Sequence, residues 1–126
     1  MITHCAVLDA QTASFPDSTR SCPGCDLRRA RLFAAELVGA DLRGALLDSA
    51  DLRGARLDSA DLRRVRARGA HWLGASLRGV FMHEADLTAG MLAQAELVGA
   101  DLREALLEGA DLRGARLDQL EQGVDK

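Results

Sequence analysis

The chain has 126 residues, 16 basic and 19 acidic side chains for a formal net charge of −3, and 48% hydrophobic residues although aromatics make up only 3%. This length suits one domain, and the near-neutral charge argues against unspecific binding to nucleic acid or anionic membranes as its main task. No apolar run approaches the roughly 18 residues of a membrane span, and the N-terminus lacks a basic start followed by an apolar stretch, so a soluble, cytoplasmic protein is expected.

In chain order, residues 1–24 form an irregular segment expected to be a cap, with His4, Cys5 and Cys22, and with Cys25 completing a Cys-Pro-Gly-Cys stretch at its border. From residue 25 to residue 119 the pattern is periodic. Every fifth residue from Leu27 to Leu117 gives nineteen positions, sixteen of them Leu, the exceptions being Ala67, Trp72 and Met82. Two residues before each lies a small residue, Ala in fifteen of the nineteen. This period fits neither an α-helix, round which the apolar residues would scatter, nor a flat strand, in which the odd step reverses the face. The chain must therefore turn every five residues, keeping one small and one large side chain inside and three residues outside. Stacked coils about 4.8 Å apart would then pair their backbone groups with one another. Trp72 follows the smallest central residue, Ala67, so both are expected to be buried with volume conserved inside one coil. Residues 120–126 are a short polar tail.

Units such as Ala-Asp-Leu-Arg-Gly, Ala-Asp-Leu-Arg-Glu, Ala-Asp-Leu-Thr-Ala and Ala-Glu-Leu-Val-Gly resemble the pentapeptide-repeat family. The resemblance implies an all-β fold, a right-handed quadrilateral β-helix with four sides and twenty residues per coil, here about five coils. Residues 35–58 and 95–118 agree at 21 of 24 positions, an offset of 60 that suits either twenty- or fifteen-residue coils. Charge favours twenty. On that spacing one outward column reads Glu36, Arg56, Ser76, Glu96, Arg116, whereas fifteen would set Glu36 beside Asp51 and Glu96 beside Asp111.

The cysteines leave three arrangements open. Cys22 and Cys25 with His4 and Cys5 have the donor types of a tetrahedral zinc site, although two Cys-x-x-Cys pairs would be the stronger signal. Carried backwards, the repeat phase places Cys5 one coil beneath Cys25, at a spacing that suits a disulfide. The thiols also suit plain buried or corner positions. No metal or cofactor is expected, and an odd number of cysteines fits a reducing compartment.

No catalytic constellation emerges, because the abundant Asp residues fill an outward slot of the repeat by rule and His71 and His83 point outward on different sides. An enzyme is not expected. Two features break the regular surface: a basic belt of Arg63, Arg64, Arg66, Arg68 and Arg78, and outward apolar residues Leu73, Phe81, Met91 and Ala93. Both are candidate partner surfaces. At the C-terminal end Leu107, Leu112, Leu117 and Leu120 have little chain left to cover them, so a homodimer joined through the C-terminal coils is expected. The expected function is a non-catalytic protein-interaction or scaffold module. The family resemblance supplies the alternative, a DNA-mimicking binder of type II topoisomerase (gyrase) linked to quinolone resistance, which the basic belt disfavours.

Overall fold

The computed structural model describes residues 20–118. Isolated parallel bridges join residues twenty apart, from Asp26–Leu46 through to Glu96–Arg116. One turn of this β-helix solenoid therefore takes twenty residues and has four sides of one five-residue unit each. The column Glu36, Arg56, Ser76, Glu96, Arg116 is bridged in that order.

Within a unit the two inward residues flank one outward residue in a short extended segment, after which the chain turns. The N–H of the next small residue closes the turn on the carbonyl of the central one, as Ala30 does on Leu27 at 3.0 Å. A turn of this kind with an extended second residue needs positive φ at its third residue. All nineteen such positions from 24 to 114 have it: ten are glycine, and nine, among them Arg29, Ala34, Ala89 and Glu104, hold side chains at φ between 56° and 64°.

Backbone pairing explains the composition of the outward slots. The N–H of Leu27 donates to Leu46 O at 2.8 Å, that of Arg29 to Asp48 O at 3.0 Å, and that of Leu46 back to Cys25 O at 2.9 Å. With the turn bond, this scheme serves four of the five N–H groups in a unit. The remaining N–H, on the residue after the central one, faces outward. In seven units the aspartate two residues earlier takes it: Arg28, Arg43, Arg53, Arg63, Thr88, Arg103 and Arg113 donate to Asp26, Asp41, Asp51, Asp61, Asp86, Asp101 and Asp111 at 3.1–3.3 Å. Elsewhere the preceding coil supplies the carboxylate, Asp48 to Arg68 N–H and Asp58 to Arg78 N–H, both at 3.0 Å. The recurrent Asp is thus a cap for the donor that the ladder leaves over.

Inward residues fill the axis, and among the described residues no polar or charged one is buried. Ala67 and Trp72 are both fully buried, as the volume argument requires. Trp72 Nε1 finds no hydrogen-bond partner among the described residues. Burial fades along the last coil, where Leu107 and Leu112 are half-buried and Leu117 is exposed. No helix of the described residues is long and apolar enough to cross a membrane.

Candidate functional site

Four columns of central residues define the sides. Leu27, Leu47, Ala67, Leu87 and Leu107 lie on side one; Leu32, Leu52, Trp72, Leu92 and Leu112 on side two; Leu37, Leu57, Leu77, Leu97 and Leu117 on side three; Cys22, Leu42, Leu62, Met82 and Leu102 on side four. Sides two and four lie across the axis from each other.

Cys22 and Cys25 are both buried and joined by a disulfide, with their Cα atoms 5.4 Å apart. The corner is the cause. A central residue and the next small one are the first and fourth residues of one turn, closed here by Cys25 N–H on Cys22 O at 3.1 Å, and a turn brings such Cα atoms within disulfide range. This pairing replaces the Cys5–Cys25 bond considered from the repeat phase. His4 and Cys5 lie outside the described residues, as do Leu120 and most of the cap.

The basic belt is dispersed by the fold. Arg63 lies on side four and Arg64 at the corner after it, Arg66 and Arg68 are on side one, and Arg78 is on side three. Each has a carboxylate partner: Asp61 at 2.6 Å, Glu84 at 3.0 Å, Asp48 at 2.9 Å, Asp86 at 2.7 Å and Glu96 at 2.9 Å respectively. Four of these acids belong to neighbouring coils, eighteen or twenty residues away, which a count along the chain does not show.

The apolar candidates also divide. Leu73 and Met91, 45% and 43% exposed, share side two with Ala93, whereas Phe81 projects from side four on the far flank. Side two gains Phe33, 65% exposed, whose ring lies 5.5 Å beneath the Arg53 guanidinium. Phe33 was missed in the sequence, although the twenty-residue step from Phe33 to Arg53 to Leu73 was the signal for it.

Electrostatically, the dominant motif is the Asp-Leu-Arg rung. In six rungs Arg Nε and Nη2 grip both oxygens of the aspartate at 2.6–2.9 Å, the bidentate geometry that makes such pairs strong and directional. These guanidiniums bring the Asp26 and Asp111 carboxyls down to about 2. They lower Asp41, Asp51, Asp61 and Asp101 as well.

One corner column departs from this scheme. It runs Gly24, Gly44, Arg64, Glu84, Glu104 along side four. Arg64 Nε donates to Glu84 at 3.0 Å, which holds that carboxyl below its usual range, and His83 Nε2 lies 3.9 Å from the other Glu84 oxygen. One ligating atom each from His83, Glu84 and Glu104 lie within 4.8 Å of one another, a mixed nitrogen and oxygen set able to hold a divalent cation. Neither Glu84 nor Glu104 was singled out in the sequence. Before the side columns of Pro23, Arg43, Arg63 and His83, the same flank opens into a recess of about 350 Å³ lined by Pro23, Arg43, Gly44, Arg63, Arg64 and His83.

The sequence pattern of the family described as pentapeptide repeats matches in eight copies, over residues 25–64, 55–89 and 91–119. The chain belongs to the pentapeptide-repeat family. Among solved structures, this pentapeptide-repeat protein is similar to Rfr23 from the cyanobacterium Cyanothece 51142, with a TM-score of 0.53 and 24% identity over 82% of this chain and 61% of that one. A trypsin-treated form of QnrB1, a plasmid-mediated fluoroquinolone resistance protein, gives 0.49 and 22% over 75% and 61%. HetL, involved in heterocyst differentiation regulation in Nostoc sp. strain PCC 7120, gives 0.40 and 28% over 80% and 63%. The likeness to Rfr23 concerns the β-helix fold, and the chain spans only 61–63% of the length of these three proteins. No protein of curated function matches the sequence.

Proposed function

We propose that this pentapeptide-repeat protein is a non-catalytic interaction module, a right-handed solenoid of about five coils behind an N-terminal cap, that presents side two to a protein partner. The observation that carries this is the exposed apolar strip of Phe33, Leu73 and Met91, three of the seven large apolar residues exposed among the described residues, gathered on one side of the rod. A rod of repeats supplies flat, pre-ordered surfaces, which suit protein recognition at low ordering cost. Photo-crosslinking from positions 73 and 91 in a native lysate is the test. A partner captured from these positions, lost in Leu73→Glu and absent when the crosslinker stands at position 116 on side three, supports the proposal; identical captures from both sides refute it.

The same proposal includes a homodimer through the C-terminal coils, which would cover the half-buried Leu107 and Leu112 and the exposed Leu117. Light scattering on the chain should then give twice its 13.5 kDa mass at micromolar concentration, and a monomer mass removes the dimer. DNA imitation is not favoured. A mimic has to offer uncompensated charge in place of phosphates, and six aspartates of the repeat are each gripped by their own arginine. Gyrase supercoiling should proceed unhindered in the presence of the protein.

A further inference from the structure

The recess on side four has no role in this interaction reading, and its chemistry differs from the rest of the surface. Gly44 is among its lining residues, and a Cβ there would meet nothing within 4 Å. One coil on, Arg64 fills the same column. Arg43 and Arg63 stand one above the other on the wall, with His83 next in line.

Each of these two arginines spends Nε and Nη2 on the aspartate of its own rung, at 2.6–2.8 Å. A guanidinium carries five N–H groups in a fixed plane, so the two N–H groups on Nη1 stay available on both, and their orientation is fixed by the fork beneath. The carboxylates of Asp41 and Asp61 that hold the forks are not among the lining residues. By contrast, a second recess of about 520 Å³ on side one is lined by Asp26 and Asp48 as well as Arg28 and Arg29, and so offers acceptors and donors together.

We infer that the side-four recess binds a small oxyanion of the phosphomonoester class. Stacked guanidiniums about 4.8 Å apart, one coil spacing, place parallel donor groups on one wall of the recess, within the span of the oxygens of one tetrahedral dianion, with Arg64, paired to Glu84, also lining it. Charge-assisted bonds of this type, from planar donors to phosphate oxygens, are among the strong and orientation-selective ones. Local charge is nearly balanced by the aspartates, so recognition rests on directed donors more than on a diffuse positive field.

The internal duplication supplies a substitution that the repeat already carries at an equivalent corner. Residues 35–58 and 95–118 differ at only three positions, one of which is Gly44 against Glu104. Glu104 sits at φ 62° and Gly44 at φ 69°, in the same corner of the same repeat. Gly44→Glu therefore places an accommodated side chain, with the wrong charge, into the recess.

Calorimetric titration of the full chain with inorganic phosphate, and with glycerol 2-phosphate, is the experiment. Saturable one-to-one binding is expected for both, lost in Gly44→Glu, weakened about tenfold or more in Arg63→Gln, and unchanged in Arg113→Gln, which removes an equivalent fork that does not line this recess. Far-UV circular dichroism checks that the variants keep the fold. A phosphoserine peptide that binds more tightly than glycerol 2-phosphate supports the site and assigns its head group to a protein; the reverse order supports it and assigns the head group to a metabolite. Lack of saturable binding to either small phosphate, or binding that survives Gly44→Glu, overturns the inference.

Discussion

Replacing Trp72 by alanine removes the largest side chain of the axis. Trp72 is fully buried in a slot that is leucine in the coils before and after it, Leu52 and Leu92, and it follows Ala67, the single alanine of the central register. A buried tryptophan withdraws about 150–250 Å² from water, which at about 25 cal/mol per Å² corresponds to about 4–6 kcal/mol. Two effects reduce that figure. Alanine keeps its own Cβ contacts, and the indole N–H that lacks a partner no longer has to be buried, a penalty of about 1–3 kcal/mol. The net loss expected for Trp72→Ala is about 3–5 kcal/mol. Ala67 and Trp72 share one layer of the axis, so their changes should couple. Ala67→Leu alone overpacks the coil and costs about 1–3 kcal/mol, and Trp72→Leu alone leaves a void. Together they recreate the paired leucines found one coil earlier at Leu47 and Leu52, so the double variant should recover about 1–3 kcal/mol relative to the sum of the singles. Guanidinium unfolding followed by far-UV circular dichroism reads all four proteins without relying on the indole. A double variant that is as unstable as the sum, or a water-exposed emission spectrum for folded Trp72, would refute the reasoning.

Three further outcomes follow from the rungs, the corners and the first coil. The Asp26 and Asp111 carboxyls fall from 3.8 to about 2 in the folded chain, so their ion pairs support the fold fully above pH 4 and that support is lost as pH falls towards 2; carboxyl carbon titration by NMR checks this, and midpoints near 3.8 would contradict it. Ala89→Gly, at φ 58°, should stabilise the protein by about 1 kcal/mol and Gly54→Ala, at φ 68°, should destabilise it by a similar amount, both read by thermal melts. Alkylation under non-reducing conditions followed by peptide mass analysis should find Cys22 and Cys25 protected and linked to each other.

Much of the architecture was readable because the repeat constrains every fifth residue. Sixteen leucines in phase set the axis, and the column Glu36–Arg56 sufficed to prefer twenty residues per turn over fifteen, since like charges stack poorly. The corners were readable only where they are glycine. Arg64, Glu84 and Glu104 adopt the same left-handed conformation with side chains that give no such cue. The candidate surfaces were the least legible part, for a geometric reason. Arg63, Arg64, Arg66 and Arg68 are close along the chain but straddle a corner, while Asp48, Glu84 and Asp86, distant along the chain, come within ion-pair range of them. On a coil, neighbours in space are found at steps of eighteen and twenty, and a belt defined by consecutive residues winds round the rod. Cys22 and Cys25 show the same effect in reverse, since the relevant partner was three residues away across a corner and not one coil beneath.

The duplication of residues 35–58 as 95–118 has a metrical consequence. Sixty residues are three whole turns, so the second copy points its side chains in the same directions as the first, displaced by about 14 Å along the rod. Val38 and Val98, Arg43 and Arg103, Leu46 and Leu106, and Arg53 and Arg113 are matched in this way. A ligand that reads only matched side chains, away from the Gly44/Glu104, Asp48/Glu108 and Ser49/Gly109 differences, meets the same residues one stride further on. A monovalent ligand of this kind has two registers open to it, whereas a bivalent one whose heads are spaced to that stride occupies both at once with raised avidity. Spacing between identical patches, and not only their chemistry, thereby becomes a quantity that this chain can select.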